Sequence, residues 1–401
     1  MLTLTMKEQQ KLEVIQGVMD GKIEMKDAIR LLDRSERQIY RMLSRVRNEG
    51  AIGIKHKLWG RGNIRRISDG FWDKIGRLVT EKYRDINDLH LKEILERNEK
   101  IKVGRESLRK FLRSKGIKPK KKHRAKKYRS RRARKEAFGM MLQLDASPHD
   151  WLEGRGEKMA LLGYIDDATG TVWAHFEDAE STWGYLNLME QVMDEYGLPL
   201  SLYSDRHTIF HSPREPTVLE QLQDKRPLTQ FGRAMEELGI SLIKAWSAPA
   251  KGRIERLWRT FQDRLTVEMR LAGIKTKKEA NLFLPGFLKD FNQRFTVKPK
   301  NSNSCFRKAP PKSVLQRILC LKSTRTVGKD HTVSFEGLPL QIPPSKQWAS
   351  IAEQKVEVLQ LKDGSIEVLY KGKTVAKFNP ESVTRMIGQY KNETFQLKKA
   401  A

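Results

Sequence analysis

The chain has 401 residues, with 78 Lys and Arg against 49 Asp and Glu, which gives a formal net charge of +29. A charge of this sign and size indicates a polyanionic partner, most often nucleic acid, and leaves a basic membrane-surface protein as the competing class. With 38% hydrophobic residues the chain is too apolar to be disordered throughout, and its length favours roughly two to four domains.

Membrane-spanning, secreted and disulfide-rich classes are not expected. No apolar run approaches the roughly 18–20 residues that cross a bilayer. The segment Met1–Gln10 lacks the apolar core of a signal peptide. Cys305 and Cys320 are the only cysteines, too few for a disulfide framework or a cysteine-based zinc site. We therefore expect a soluble, intracellular, multidomain protein that binds nucleic acid.

Residues 1–50 have the pattern of a helix-turn-helix domain. Leu12, Ile15 and Met19 share one face of a first helix, and a short second helix ends before a break at residues 33–35. Ser35 is suited to cap a third helix, whose outer face is basic. This arrangement predicts a domain that reads double-stranded DNA, with an ordinary helical hairpin as the alternative. The expected DNA contacts on the third helix are Arg37, Gln38, Arg41 and Arg45.

Residues 51–116 contain three further predicted helices, over Phe71–Tyr83, Asp88–Arg97 and Gly104–Lys115. They indicate a second helical DNA-binding module, and two modules in tandem would read a longer site than one. The preceding basic segment Gly50–Arg66 is rich in glycine and is typical of an arm that lies along a DNA groove. The expected contacts on the last helix are Arg105, Lys110 and Arg113.

A dense basic run follows, in which 13 of the 21 residues from Lys115 to Lys135 are Lys or Arg. Such a block repels itself and does not pack, which predicts a linker over residues 117–138. Beside phosphates its charge would be neutralised with release of counterions. A solvated linker without function is the alternative. The expected DNA contacts here are Lys120, Lys121, Lys122, Arg124, Arg131 and Arg132.

Residues 139–300 have the pattern of an α/β domain. Three strands with hairpin turn residues between the second and third precede alternating helices and strands, which predicts a mixed five-stranded sheet with helices on both faces. The predicted strands cover 140–144, 158–165, 171–176, 200–203 and 240–245, and the predicted helices cover 181–196, 229–238 and 251–271. After a connector over 301–325, several short strands over 326–380 predict a small β-barrel, and residues 381–401 form a basic tail.

Three carboxylates lie at the ends of predicted strands or at the start of a predicted helix, where the sheet topology is expected to bring them together. Asp145 ends the first predicted strand, Asp205 ends the fourth, and Glu255 lies on the first turns of the long helix. We expect the first and fourth strands to be neighbours, which brings the two aspartates together with the glutamate facing them. Converging carboxylates raise each other's pKa unless a cation is present, and hard oxygen ligands suit Mg²⁺ or Mn²⁺. For any one aspartate alone, a turn-forming role is the alternative.

The motifs around these carboxylates resemble the DDE transposases of bacterial insertion sequences, in particular the ISNCY type. The resemblance is carried by Leu144-Asp145, Ile165–Thr169, Tyr203–His207 and Ala248–Arg256. It implies an RNase H-like core, as in retroviral integrases. It also implies that Asp145, Asp205 and Glu255 bind two Mg²⁺ or Mn²⁺ ions per active site. Since the chain lacks the cysteines of the integrase zinc module, we expect no zinc.

The same resemblance implies a mechanism and partners. The helical modules bind terminal inverted repeats, the core cuts the 3′ ends with water, and each freed 3′-OH attacks target DNA. A homo-oligomer holds two DNA ends together, without a membrane, in the bacterial cytoplasm on the nucleoid. Two alternatives stay open, namely a non-catalytic DNA-binding regulator derived from a transposase and an RNase H-like nuclease that acts on RNA hybrids. The latter would not need two sequence-reading modules.

Other polar residues lie beside the three carboxylates in the sequence. His207 is expected near a phosphate or the attacking water, with a plain polar loop residue as the alternative. Asp166 and Asp167 lie in a predicted hairpin turn and are not expected to be catalytic. Four basic residues around Glu255 are expected to hold DNA ends, or else to form a solvated helix face. They are Lys251, Arg253, Arg256 and Arg259.

Overall fold

The computed structural model describes residues 4–56, 67–120, 132–223, 226–245, 251–344, 348 and 350–383. The chain divides into two compact units between Arg84 and Asp85. The helices of the first unit are α1 (Met6–Met19), α2 (Met25–Leu32), α3 (Glu36–Glu49), a 3-10 helix (Gly50–Ile54) and α4 (Asp69–Glu81).

Helices α1, α2 and α3 close on one apolar cluster in which Ile15, Ala28 and Ile39 are completely buried. The connection between α2 and α3 is short because Asp33 adopts a left-handed conformation with φ of 49°. Ser35 then occupies the N-cap of α3 in extended conformation, as predicted, although its side chain makes no capping hydrogen bond. Helix, tight turn and helix therefore follow the predicted helix-turn-helix order.

The second unit contains a mixed five-stranded sheet, as predicted. Its strands are β1 (Leu142–His149), β2 (Met159–Asp166), β3 (Val172–Glu177), β4 (Ser201–Ser204) and β5 (Ser241–Lys244). Their order is β3-β2-β1-β4-β5, with β1, β2 and β3 antiparallel and β4 parallel to both β1 and β5. The two faces of this sheet belong to two separate apolar clusters.

Each cluster is closed by helices. The first takes its apolar residues from α7 (Thr182–Glu195) and α9 (Gln230–Glu237), and the second from α10 (Gly252–Leu271) and α11 (Lys277–Phe295). A short helix, α8 (Val218–Leu222), lies between β4 and α9. The sheet therefore has helices on both faces, and the first turn of α10 lies next to β1.

The second unit begins with α5 (Asp88–Asn98) and α6 (Arg105–Ser114), which are tied to the helices of the sheet domain. On α5, Glu93 accepts hydrogen bonds from Arg264 of α10, at 2.6 Å, and forms an ion pair of 2.7 Å with Arg294 of α11. Glu268 of α10 contacts His90 at 2.8 Å and Arg97 at 2.6 Å. The division between the units thus falls inside the second predicted helical module.

The C-terminal strands do not form the predicted barrel. After α12 (Lys312–Ile318), the structure has β6 (Leu321–Thr326), β7 (Thr332–Phe335), β8 (Leu338–Gln341), β9 (Lys355–Gln360), β10 (Ile366–Tyr370) and β11 (Lys373–Phe378). Within the described residues, four strands pair in the order β11-β10-β9-β6 and leave β6 and β11 as edges, while β7 and β8 form a separate hairpin. The hairpin packs Val333 and Leu340 into the core of the four-stranded sheet, so its apolar face is buried without closure of the ladder.

No helix within the described ranges is long enough and apolar enough to cross a membrane. The predicted basic tail lies outside the described residues from position 384 onward.

Candidate active site

Asp145 and Asp205 come from neighbouring strands, as the topology argument predicts. The parallel register pairs Leu142 with Leu202 and Gln143 with Tyr203, so each aspartate lies two residues beyond this paired segment. One detail of the prediction is wrong, because Asp145 does not end β1. The strand continues to His149 through its antiparallel pairing with β2, and Asp145 lies where β1 leaves the edge of β4.

The ammonium group of Lys251 joins these two aspartates. Its Nζ donates to Oδ1 of Asp145 at 2.9 Å and to Oδ2 of Asp205 at 3.1 Å. Only 8% of the Lys251 side chain is exposed. Burial raises the pKa of Asp205, but the backbone N–H of His207 and the Lys251 ammonium outweigh it and hold that pKa below its ordinary value. Two carboxylates thus converge on one positive charge.

Asp145 is also fixed from the side of α10. The indole Nε1 of Trp258 donates to its Oδ2 at 3.0 Å. The indole reaches this position because Gly163, which faces Asp145 on β2, has no side chain. A Cβ at Gly163 would lie 2.5 Å from the Trp258 ring. Trp258 therefore serves both the core and the orientation of a site carboxylate.

Glu255 lies one helical turn after Lys251 and is exposed on α10. Among the described residues, no three His, Cys, Asp or Glu side chains lie close enough together to hold a metal ion. The pair formed by Asp145 and Asp205 nevertheless fits a cation, because both carboxylates already contact the same ammonium group and offer the hard oxygens that Mg²⁺ prefers.

The loop after β4 places His207 beside the aspartates. Its backbone N–H donates to Oδ1 of Asp205 at 3.0 Å. The ring Nε2 lies 4.0 Å from Oε2 of Glu180, and 44% of the side chain is exposed. The imidazole is therefore accessible at the mouth of the site.

Asp166 and Asp167, predicted in a hairpin turn, are both fully buried. Burial raises the pKa of Asp166 above its ordinary value, even though it accepts hydrogen bonds from the backbone of Thr169 and Gly139. For Asp167 burial acts in the same direction, but the Lys135 N–H and the Arg253 guanidinium outweigh it and lower the pKa. The pKa values of the two adjacent carboxyl groups are thus shifted in opposite directions, and Asp167 is the one that binds positively charged side chains.

The expected DNA contacts fall into three groups. Several are exposed, namely Arg37, Gln38, Arg41, Arg105, Lys110, Arg256 and Arg259. Others bind groups of the protein itself, which the sequence did not reveal. Arg45 donates to the Lys55 carbonyl. Five more form ion pairs with acidic side chains: Arg113 with Asp88, Lys120 with Asp263, Arg132 and Arg253 with Asp167, and Lys251 with Asp145 and Asp205. The remaining four, Lys121, Lys122, Arg124 and Arg131, lie outside the described residues.

The sequence patterns did not predict that Lys251 bridges the two aspartates or that Trp258 donates to Asp145. They also did not predict that Gly163 makes room for the Trp258 ring. A partial signal exists, because Lys251 and Glu255 are four positions apart and share one helix face. No local pattern shows that a glycine on one strand makes room for a tryptophan on a helix 95 residues later in the chain.

Comparison with known proteins gives three findings. The helix-turn-helix domain family matches residues 10–63. A putative transposase of Sinorhizobium fredii, y4bF, is 35% identical over 376 residues, which cover 93% of this chain and 80% of that protein. The transposase for insertion sequence IS1202 of Streptococcus pneumoniae is 32% identical over 400 residues, which cover 90% of this chain and 84% of that protein.

Among solved structures, the HTLV-2 integrase catalytic core domain in complex with magnesium, in its dimeric form, matches 41% of this chain and 94% of its own length. Its sequence identity is 16% and its TM-score is 0.30.

Proposed function

This chain belongs to the transposase family, and from this premise we propose that it cuts and joins DNA ends by metal-dependent phosphoryl transfer. The observation that carries the proposal is the convergence of Asp145 and Asp205 on one cationic group, next to the end of β4. Like charges so close together need a cation, and in this arrangement Lys251 supplies it.

Asp145, Asp205 and Glu255 are the residues that we assign as ligands of two Mg²⁺ or Mn²⁺ ions. Bound there, the ions would activate the attacking oxygen and stabilise the leaving oxygen. The protein supplies orientation, since Trp258 fixes one oxygen of Asp145 and the His207 N–H fixes one oxygen of Asp205. The exposed His207 imidazole is positioned to meet a phosphate or the attacking water.

The first unit is proposed to bind the terminal inverted repeats through α3. Its outer face carries Arg37, Gln38 and Arg41, which are all exposed, and arginine and glutamine are suited to base edges in the major groove. The exposed Arg105 and Lys110 on α6 are proposed to contact the same DNA. Two ends must be held at once, so we expect a homo-oligomer on double-stranded DNA in the bacterial cytoplasm.

A strand-transfer assay tests the proposal. Purified protein is mixed with Mg²⁺ or Mn²⁺, a supercoiled target and a labelled DNA that carries the ends of the insertion sequence encoding it. We expect covalent joining of the labelled 3′ end and its loss in EDTA. Asp205→Asn should abolish joining and retain end binding. Asp178→Asn, which removes an exposed carboxylate from the same domain, should leave joining unchanged.

Other outcomes separate the alternatives. End-specific binding without cleavage under either metal would favour a non-catalytic regulator. Cleavage of RNA–DNA hybrids that survives deletion of residues 1–84, the first unit, would favour a nuclease. Unchanged joining by the Asp205→Asn variant would overturn the catalytic assignment.

A further inference from the structure

Asp167 is a buried carboxylate that the proposed chemistry does not use. Its side chain is 0% exposed, and it follows directly after β2. Its Oδ1 accepts hydrogen bonds from Arg132, from Arg253 Nε at 2.7 Å and from Gln143 Nε2 at 2.8 Å. Its Oδ2 accepts the backbone N–H of Lys135 at 2.8 Å. One carboxylate therefore connects β1, α10 and the last residues of the basic run, Arg132 and Lys135.

The contact with Gln143 extends to the backbone of α10. Gln143 is completely buried, and because its Nε2 donates to Asp167, its Oε1 is turned toward α10. That oxygen lies 3.4 Å from the N–H of Ile254. The first N–H groups of a helix have no partner within the helix, so an acceptor from another element fixes where the helix begins. Asp167 thus fixes the orientation of the Gln143 amide, so that its oxygen, and not its NH₂ group, faces the Ile254 N–H.

This anchor lies beside the residues that form the site. Arg253 and Ile254, which are held by Asp167 and Gln143, stand between Lys251 and Glu255 on α10. On β1, Gln143 and Asp145 are two residues apart and therefore project from the same face of the sheet. A displacement at the start of α10 would move Lys251 and Glu255 relative to Asp145.

We propose that Asp167 is a positioning residue, which holds the start of α10 in register with β1 and so keeps Lys251 at the two aspartates. The inference rests on the proposed function for its kinetic consequence, but not for its structural one. Asparagine cannot replace the carboxylate, because its amide has one acceptor oxygen and its NH₂ group would face a donor. It would also leave Arg132 and Arg253 without their counter-charge.

Hydrogen exchange of the full-length protein tests the anchor directly. In Asp167→Asn, we expect the peptide covering residues 252–258 to exchange about tenfold faster or more, the loss that one hydrogen bond to a charged group predicts. Glu367→Gln is the matched control, since Glu367 is a buried carboxylate held by Arg317 and Lys377 in the C-terminal sheet. It should leave exchange at residues 252–258 unchanged even where it lowers the melting temperature.

A second variant keeps the test decisive where Asp167→Asn does not fold. Gln143→Leu retains the two arginine contacts of Asp167 but removes the acceptor of the Ile254 N–H. It should accelerate exchange at the start of α10. Wild-type exchange rates there in whichever of the two variants folds, or equal acceleration in Glu367→Gln, would overturn the inference.

The kinetic readout separates positioning from general destabilisation. In strand transfer, Asp167→Asn should lower kcat about tenfold or more and leave the KM for the DNA end within about twofold, since DNA binding does not depend on the anchor. A rise in KM with unchanged kcat would contradict the positioning role. If the wild-type protein joins no DNA, the proposed function fails, while the exchange experiment still decides whether Asp167 anchors α10.

Discussion

Replacing Gly163 by alanine should displace the Trp258 ring and weaken its hydrogen bond to Asp145. The new Cβ would lie 2.5 Å from Cη2 and 3.2 Å from Cζ2 of Trp258, whereas ordinary contact begins near 3.4 Å. The same Cβ would lie 3.3 Å from the Trp173 carbonyl oxygen, so little room is left on that side and the ring has to retreat by about 0.9 Å to restore ordinary contact. Such overpacking costs roughly 1–3 kcal/mol in the free energy of unfolding.

A double-mutant cycle isolates this contact from other effects. Trp258→Phe alone loses the indole N–H that binds Asp145, which costs roughly 1.5–3 kcal/mol, and also leaves a cavity. Phenylalanine is smaller and lacks the indole atoms that meet the new methyl group. The double variant with Gly163→Ala should therefore be more stable than the sum of the two losses predicts, by about 1–2 kcal/mol.

Urea unfolding followed by circular dichroism measures these free energies without loss of a tryptophan signal. Gly286→Ala is the matched control, because a Cβ at Gly286 on α11 meets nothing within 4 Å. It should be neutral or stabilising by about 0.5–1 kcal/mol, as expected for alanine within a helix. Additive losses in the cycle would refute the argument that Gly163 exists to admit the Trp258 ring.

Three further predictions follow from the same unit and from the DNA-binding unit. Lys251→Met should raise the affinity for Mn²⁺ about tenfold in calorimetric titration, because no ammonium has to be displaced from Asp145 and Asp205; unchanged affinity would show that the ammonium does not compete. Glu268→Gln should lower the melting temperature at pH 7. Burial raises the pKa of Glu268, but its hydrogen bonds from His90 and Arg97 outweigh burial and hold the pKa below its ordinary value of 4.5. This stabilisation is therefore present above pH 4.5 and is lost as the pH falls through the lowered pKa. The difference between variant and wild type should shrink on acidification, and a difference as large at pH 3 as at pH 7 would contradict the assignment. Deletion of residues 1–84 should weaken binding to the inverted repeats at least tenfold in a gel-shift assay, and an unchanged affinity would contradict the role assigned to α3.

Much of the fold follows from periodicity and turn chemistry. Alternation and hairpin residues located all five strands of the central sheet, and the spacing of apolar residues located α7, α9 and α10. The expectation that Asp145 and Asp205 lie side by side needed only strand order, which the sheet confirms. The family resemblance was confirmed by two transposases that are similar over most of the chain.

What the sequence could not supply depends on contacts between distant side chains. Asp167 has the residue neighbours of a solvent turn, yet it is buried, because cations from residues 132 and 253 converge on it. Short strands were predicted over 326–380, and β7 to β11 lie there, but the number and alternation of strands do not determine whether a hairpin closes a barrel or packs on a sheet. The helix α11 and the strand β6 were not predicted; α11 contains Pro285, which breaks the helical pattern.

The attachment of α5 to α10 and α11 has a consequence for the DNA that this protein mobilises. Asp88 of α5 pairs with Arg113 of α6 at 2.6 Å, so α6 is connected to the sheet through α5. If α6 binds DNA and the sheet domain cleaves it, as proposed, these contacts fix the distance between the bound sequence and the cleaved phosphate. One inserted base pair lengthens the duplex by about 3.4 Å and rotates it by about a tenth of a turn. Element ends should therefore keep this spacing constant, even where the bases between the two points vary.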